Sequence, residues 1–174
     1  AGADAFSIGT GASFSAEKLN SAEKITLGKY SDVKIEEVVG VQKLTMNDGS
    51  KSKFAKLNAA IVSGTEANDK FTFGSYNNLD LGKVALGDGD DTVKFGSGVS
   101  GMIQNLDFGA GDDTLVIGKN CDLWINGTYH GDLNLKIGTG CELHLAGDLY
   151  SAVTEAFASE IEKGKISVKE WKLA

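Results

Sequence analysis

The chain has no proline and, read along its 174 residues, no arginine. A chain without proline suits an architecture of hydrogen-bonded strands, because each proline would delete a ladder bond. All 17 basic residues are therefore lysines, and against 24 acids they leave a net charge of −7. Neutralising phosphates needs clustered cations, so nucleic acid is not expected as a partner. Apolar runs fall well short of the ~20 residues that span a bilayer, so membrane insertion is not expected either. Two cysteines are too few for a disulfide framework. The two histidines, His130 and His144, have no recognised zinc spacing. No charged-then-apolar leader opens the chain, which leaves a leaderless export route open.

What the chain has in abundance is glycine, 23 residues, and much of it recurs at a fixed interval. Leu86-Gly87-Asp88-Gly89-Asp90-Asp91-Thr92-Val93-Lys94-Phe95-Gly96 returns at an offset of 22 as Phe108-Gly109-Ala110-Gly111-Asp112-Asp113-Thr114-Leu115-Val116-Ile117-Gly118. A constant period of this size marks stacked repeats, each too small to bury a core alone. The offsets predict vertical apolar ladders: Phe71, Val93, Leu115, Leu135; then Phe73, Phe95, Ile117, Ile137; and on another wall Leu81, Ile103, Ile125, Leu145. Between them stand mostly polar residues such as Lys70, Thr92 and Thr114. Period-two alternation kept through stacked copies puts the apolar set inside and the polar set in water. The expected fold is all-β: a parallel β-helix (β-solenoid) with turns of roughly 20–22 residues and a helical cap at its C-terminal end.

Other stretches fit the period less closely. Residues 2–9 align with Gly111–Gly118, so the chain is expected to begin inside a repeat. Ser15 to Lys24 has helix-friendly letters and a Ser15 N-cap candidate, and reads as a loop or a helical turn. Ile25–Ile35 matches Phe71–Leu81 at an offset of 46, about two turns, with Val41–Met46 as the intervening copy. After Gly118 the interval shortens, and Cys121 matches Cys141. Residues 1–150 are expected to form the solenoid, with an irregular insertion at about 47–60, and residues 151–174 a helix-plus-strand cap. Asp148 to Gly164 reads as one amphipathic helix through Ala152, Ala156, Phe157 and Ile161, stopped by Gly164. Ile166 to Leu173 then alternates like an edge strand.

The loops Gly87-x-Gly89-x-Asp91-x-Val93 and Gly109-x-Gly111-x-Asp113-x-Leu115 carry the chemistry. Over about residues 62–118 the chain resembles the hemolysin-type (RTX) calcium-binding repeats. That resemblance implies a parallel β-roll, calcium between stacked loops, and a bacterial secreted or cell-surface setting. The implied metal residues are Gly87, Gly89, Asp91, Gly109, Gly111 and Asp113, with oxygens from the two aspartates and from the carbonyls of residues 87–90 and 109–112. This sequence departs from the family at Leu86 and Phe108, where the family has glycine, and in its spacing of 22 rather than tandem nines. The earlier copy, Thr65-Glu66-Ala67-Asn68-Asp69, lacks both glycines.

Electrostatics bears on the same loops. Carboxylates stacked ~4.8 Å apart repel by roughly 3.5 kcal/mol at an effective dielectric of 20, which a hard cation with six to eight oxygen ligands reverses. The competing reading makes the glycines corner residues and the aspartates solvated turn residues. Cys121 and Cys141 should stack facing inward, as free thiols or as a strained disulfide. Trp124 and His144 should stack outside, either as a sugar platform with Tyr129 or under cover of the C-terminal helix. The expected function is non-enzymatic: a structural or adhesive module that meets neighbouring modules or copies of itself. The alternative is a carbohydrate-binding or polysaccharide-modifying β-helix protein with surface carbohydrate as its partner.

Overall fold

The computed structural model describes residues 5–20, 24–39, 41, 43–47 and 55–172. They form a parallel β-solenoid of about seven turns. One wall stacks β1 (Ala5–Ile8), β3 (Lys24–Leu27), β5 (Lys43–Met46), β7 (Lys70–Phe73) and β9 (Thr92–Phe95). The facing wall stacks β2 (Ser13–Asn20), β4 (Asp32–Val39), β6 (Ala55–Ser63) and β8 (Asn77–Ala85). Strands β10 (Ser100–Ile117) and β11 (Asp122–Ile137) each run round the corner and join the walls. β12 (Cys141–Gly147) and β13 (Ile166–Glu170) complete the stack at the C-terminal end.

The expected ladders are present in register. Phe71 pairs with Val93, Val93 with Leu115 and Leu115 with Leu135, while Leu81, Ile103, Ile125 and Leu145 climb the other wall. Phe73 and Phe95 stack at 5.2 Å between ring centroids. Each apolar side chain thus rests on its counterpart one turn below, and the interior is one continuous core. The doubled interval between Ile25 and Phe71 resolves into unequal turns. Lys24 lies on Lys43, a short step, and Lys43 lies on Lys70, a long one.

Three expectations need correction. Ser13–Asn20 is a strand, neither helical turn nor loop. Phe14, Ala16 and Leu19 lie in register with Val33, Ile35 and Val38, and the ladder outweighs the weak helical preference of its Glu and Lys letters. The irregular stretch ends earlier than residue 60, because β6 starts at Ala55 and pairs with β4 and β8; its centre, 48–54, lies outside the described residues, as do residues 2–4 of the aligned start. Finally, the C-terminal helix is two, α1 (Asp148–Ala156) and α2 (Ala158–Glu162). The break falls at Phe157, whose φ of −117° is not helical and whose ring packs on the core. The buried residues of α1 are Leu149 and Val153, not Ala152 and Ala156. Gly164 does end the helical segment, at φ 66°. No helix among the described residues is long and apolar enough to cross a membrane.

Candidate functional site: the stacked Gly-Asp loops

Three loops lie directly over one another, 65–69, 87–91 and 109–113. Their glycines answer to sterics. Gly109 has φ +79°, and a Cβ there would overlap the carbonyl oxygen of Gly87; Gly87 has φ +105° and stands in the same relation to Thr65. A side chain at either position is excluded twice, by the left-handed backbone and by the carbonyl beneath.

Asp69, Asp91 and Asp113 are all buried, at 2 %, 1 % and 1 % exposure. Solvated turn aspartates are therefore the wrong description. They form a ladder in which each turn's amide donates upward: Asp69 N–H to Asp91 Oδ1 at 2.7 Å, and Asp91 N–H to Asp113 Oδ1 at 2.9 Å. A second ladder runs the other way on the outside, from Asp90 N–H to Asn68 Oδ1 and from Asp112 N–H to Asp90 Oδ1, both at 3.0 Å. Sequence reasoning did not assign Asn68 or Asp69 to the site because their copy lacks the glycines. The interval of 22 alone would have placed them.

The degenerate copy explains what the other two lack. Thr65 donates its N–H to Asp69 Oδ2 at 2.6 Å and its hydroxyl to Asp69 Oδ1 at 2.9 Å. Gly87 and Gly109 stand where Thr65 stands and have no hydroxyl. There Asp91 Oδ2 and Asp113 Oδ2 are buried without a hydrogen-bond partner. Burial pushes the Asp91 carboxyl up to about 7; the Asp69 amide opposes this, and the charges of Asp69, Asp113 and Asp90 add to it. Burial likewise raises Asp69, against its bonds from Thr65, and Asp113, against the Asp91 amide.

Two partnerless carboxylate oxygens in consecutive turns fit one part of a hard-cation shell. Other oxygens are already engaged: both Oδ1 atoms accept backbone amides, and the Ala110 carbonyl accepts Gly89 N–H at 2.9 Å. Among the described residues no cluster of three or more His, Cys, Asp or Glu side chains is arranged to hold a metal. A cation here would depend on loop carbonyls and water for most of its shell.

Elsewhere, Cys121 and Cys141 are stacked, buried and free. Their sulfurs approach the Gly96 and Gly118 carbonyls at 3.2 and 3.0 Å. The neighbouring Cys141 thiol and burial in the core hold the Cys121 thiol above the ordinary range. With both sulfurs sealed in the core, a bulky aromatic disulfide reagent should titrate neither thiol at native conditions and both in denaturant. Fast native labelling would contradict the packing.

Trp124 and His144 do stack, at 3.7 Å and 1° between planes, and Trp171 meets Trp124 edge-on at 5.8 Å. Trp171, beyond β13, takes the covering place expected of the helix. One face of Trp124 is occupied by His144, and the register sets Met102 on the turn below. Trp124 remains 38 % exposed beside them.

The fold and the loops thus define the class: a parallel β-solenoid with buried carboxylate ladders. Comparison with protein-family models, with curated proteins and with solved structures gives no significant match.

Proposed function

We propose that the chain is a non-enzymatic structural and adhesive module of a bacterial secreted or cell-surface repeat protein, stabilised by calcium and able to associate with copies of itself. The observation that supports it most is the pair of partnerless Oδ2 atoms of Asp91 and Asp113, buried one above the other where Thr65 satisfies the equivalent Asp69. Calcium would be held by these two oxygens together with carbonyls of the loops carrying Gly87, Gly89, Gly109 and Gly111, and its binding energy would be folding energy. Self-association is supported by the sheet edges: among the described residues β1 pairs only with β3, β2 only with β4 and β13 only with β12, and strand edges are where another chain can add by pairing.

Melting with calcium and then with EGTA tests the metal. A rise of several degrees with calcium, lost in Asp91→Ala plus Asp113→Ala, is expected. No shift at millimolar calcium removes the metal and leaves the module. Light scattering over a wide concentration range tests association: mass should grow with concentration, and monomer throughout would end that part of the proposal.

A further inference from the structure

At one corner of the solenoid the backbone passes through the left-handed region on turn after turn: Gly11 (φ 71°), Tyr30 (58°), Tyr76 (55°), Gly98 (68°), Asn120 (56°) and Gly140 (76°). Glycine and asparagine adopt this conformation readily, whereas a tyrosine there costs roughly 1–2 kcal/mol. Tyr76 must gain something in return. Its ring edge reaches over the next turn, with Cδ1 and Cε1 2.7 Å from where a Gly98 Cβ would lie. The Tyr76 ring thus takes the place a side chain at Gly98 would fill, and Asn120 stands one turn above. Beside the ring opens a notch of about 430 Å3 lined by Tyr76, Ser97, Gly98, Val99, Ser100, Asn120 and Asp122.

We propose that this notch binds a single neutral saccharide unit. Each alternative ligand class lacks what it needs. One carboxylate, Asp122, is too few for a hard cation that takes six to eight oxygens. An anion would want a cationic side chain, and none lines the cavity. A purely apolar ligand would strand two hydroxyls, an amide and a carboxylate. A sugar ring combines a C–H face for the tyrosine with hydroxyls for the rest.

The polar groups are fixed and partly spent in a useful sense. Ser97 Oγ accepts Lys119 N–H at 3.3 Å and Ser100 Oγ accepts Asn78 Nδ2 at 3.1 Å, so both hydroxyl protons remain to be donated. Asp122 and Asn120 are exposed, and they supply acceptors and a further donor. The volume lies in the range of small-ligand sites.

The test is saturation-transfer NMR on the full chain in EGTA, with methyl glycosides of glucose, galactose, mannose and N-acetylglucosamine as probes. Transfer to at least one is expected. Tyr76→Gly removes the ring while suiting the left-handed backbone, and should weaken binding at least tenfold; Asp122→Asn should weaken it several-fold; Trp124→Ala should leave it unchanged. Absence of transfer to all four probes overturns the proposal. So does binding that survives both notch variants, or that is lost in Trp124→Ala alone. Because calcium is absent throughout, failure here is separable from failure of the metal.

Discussion

Asp91→Asn should melt several degrees higher than the parent chain at pH 8 in EGTA. Asparagine keeps an oxygen to accept the Asp69 amide, now at 2.7 Å from Asp91 Oδ1, and replaces the partnerless Oδ2 by a neutral amide nitrogen. At pH 8 the aspartate must be either charged in a dry corner or protonated at a cost in free energy. Its carboxyl is raised in the folded state to about 7, from an ordinary value of 3.8. A raised folded value means that the folded chain holds the proton more tightly than the unfolded one. The stabilising contribution is complete below about pH 4 and disappears as pH climbs through about 7.

Asp69 and Asp113 are raised as well, so all three carboxyls push in one direction. Without calcium, the parent chain should lose stability steadily between pH 4 and pH 8, while Asp91→Asn loses less. Full conversion of the Asp91 shift would exceed about 4 kcal/mol, and we reduce it to about 2 kcal/mol for residual hydration of the loop. For a chain of this size that is roughly 4–8 °C. Glu142 shifts the opposite way beside Lys169 but is fully exposed, and contributes little. Calcium separates the variants further, because it should stabilise the parent and leave Asp91→Asn indifferent. An asparagine variant that melts below the parent at pH 8 in EGTA would show that the buried charge is already compensated.

The ladders of the solenoid were legible because two periods coincide there. Alternation along Lys70–Phe73 fixes which residues point inward, and the interval of 22 fixes what lies beneath each one. The N-terminal turns were harder to read. Their spacing contracts from Lys24 to Lys43 and stretches from Lys43 to Lys70, and the letters of Ser13–Asn20 carry a helical bias. That strand is specified by its neighbours in β4, and propensity within the segment does not report them.

The loops were legible in part, and the missing part is physical. Glycine at 87 and 109 announced a tight corner, correctly. Aspartate at 91 and 113 reads as a solvated residue in any single turn, and becomes buried only when the turns above and below close over it. Burial in this molecule is a property of the stack. The same holds for Thr65, whose service to Asp69 makes the loss of glycine in that copy intelligible as substitution of one solution for another.

Gly109→Ala should be among the most damaging single-methyl changes available in this chain. The added Cβ meets a backbone carbonyl, which cannot rotate out of the way as the tip of a side chain would. Gly87 cannot retreat, because it is itself seated against the Thr65 carbonyl. The left-handed backbone adds ~1–2 kcal/mol, and the total should exceed about 4 kcal/mol, the range reserved for overpacking and strain combined. Relief can come only by lifting loop 109–113 away, which withdraws Asp113 Oδ1 from the Asp91 amide. Hydrogen exchange should therefore show the Asp91 amide losing protection even where most of the stack persists. Gly9→Ala is the matched control. A Cβ at Gly9 meets nothing within 4 Å, so its melting point and exchange pattern should stay at parental values. Equal tolerance at both positions would mean that the turns are not packed carbonyl to glycine, and the buried carboxylate ladder would lose its geometric basis.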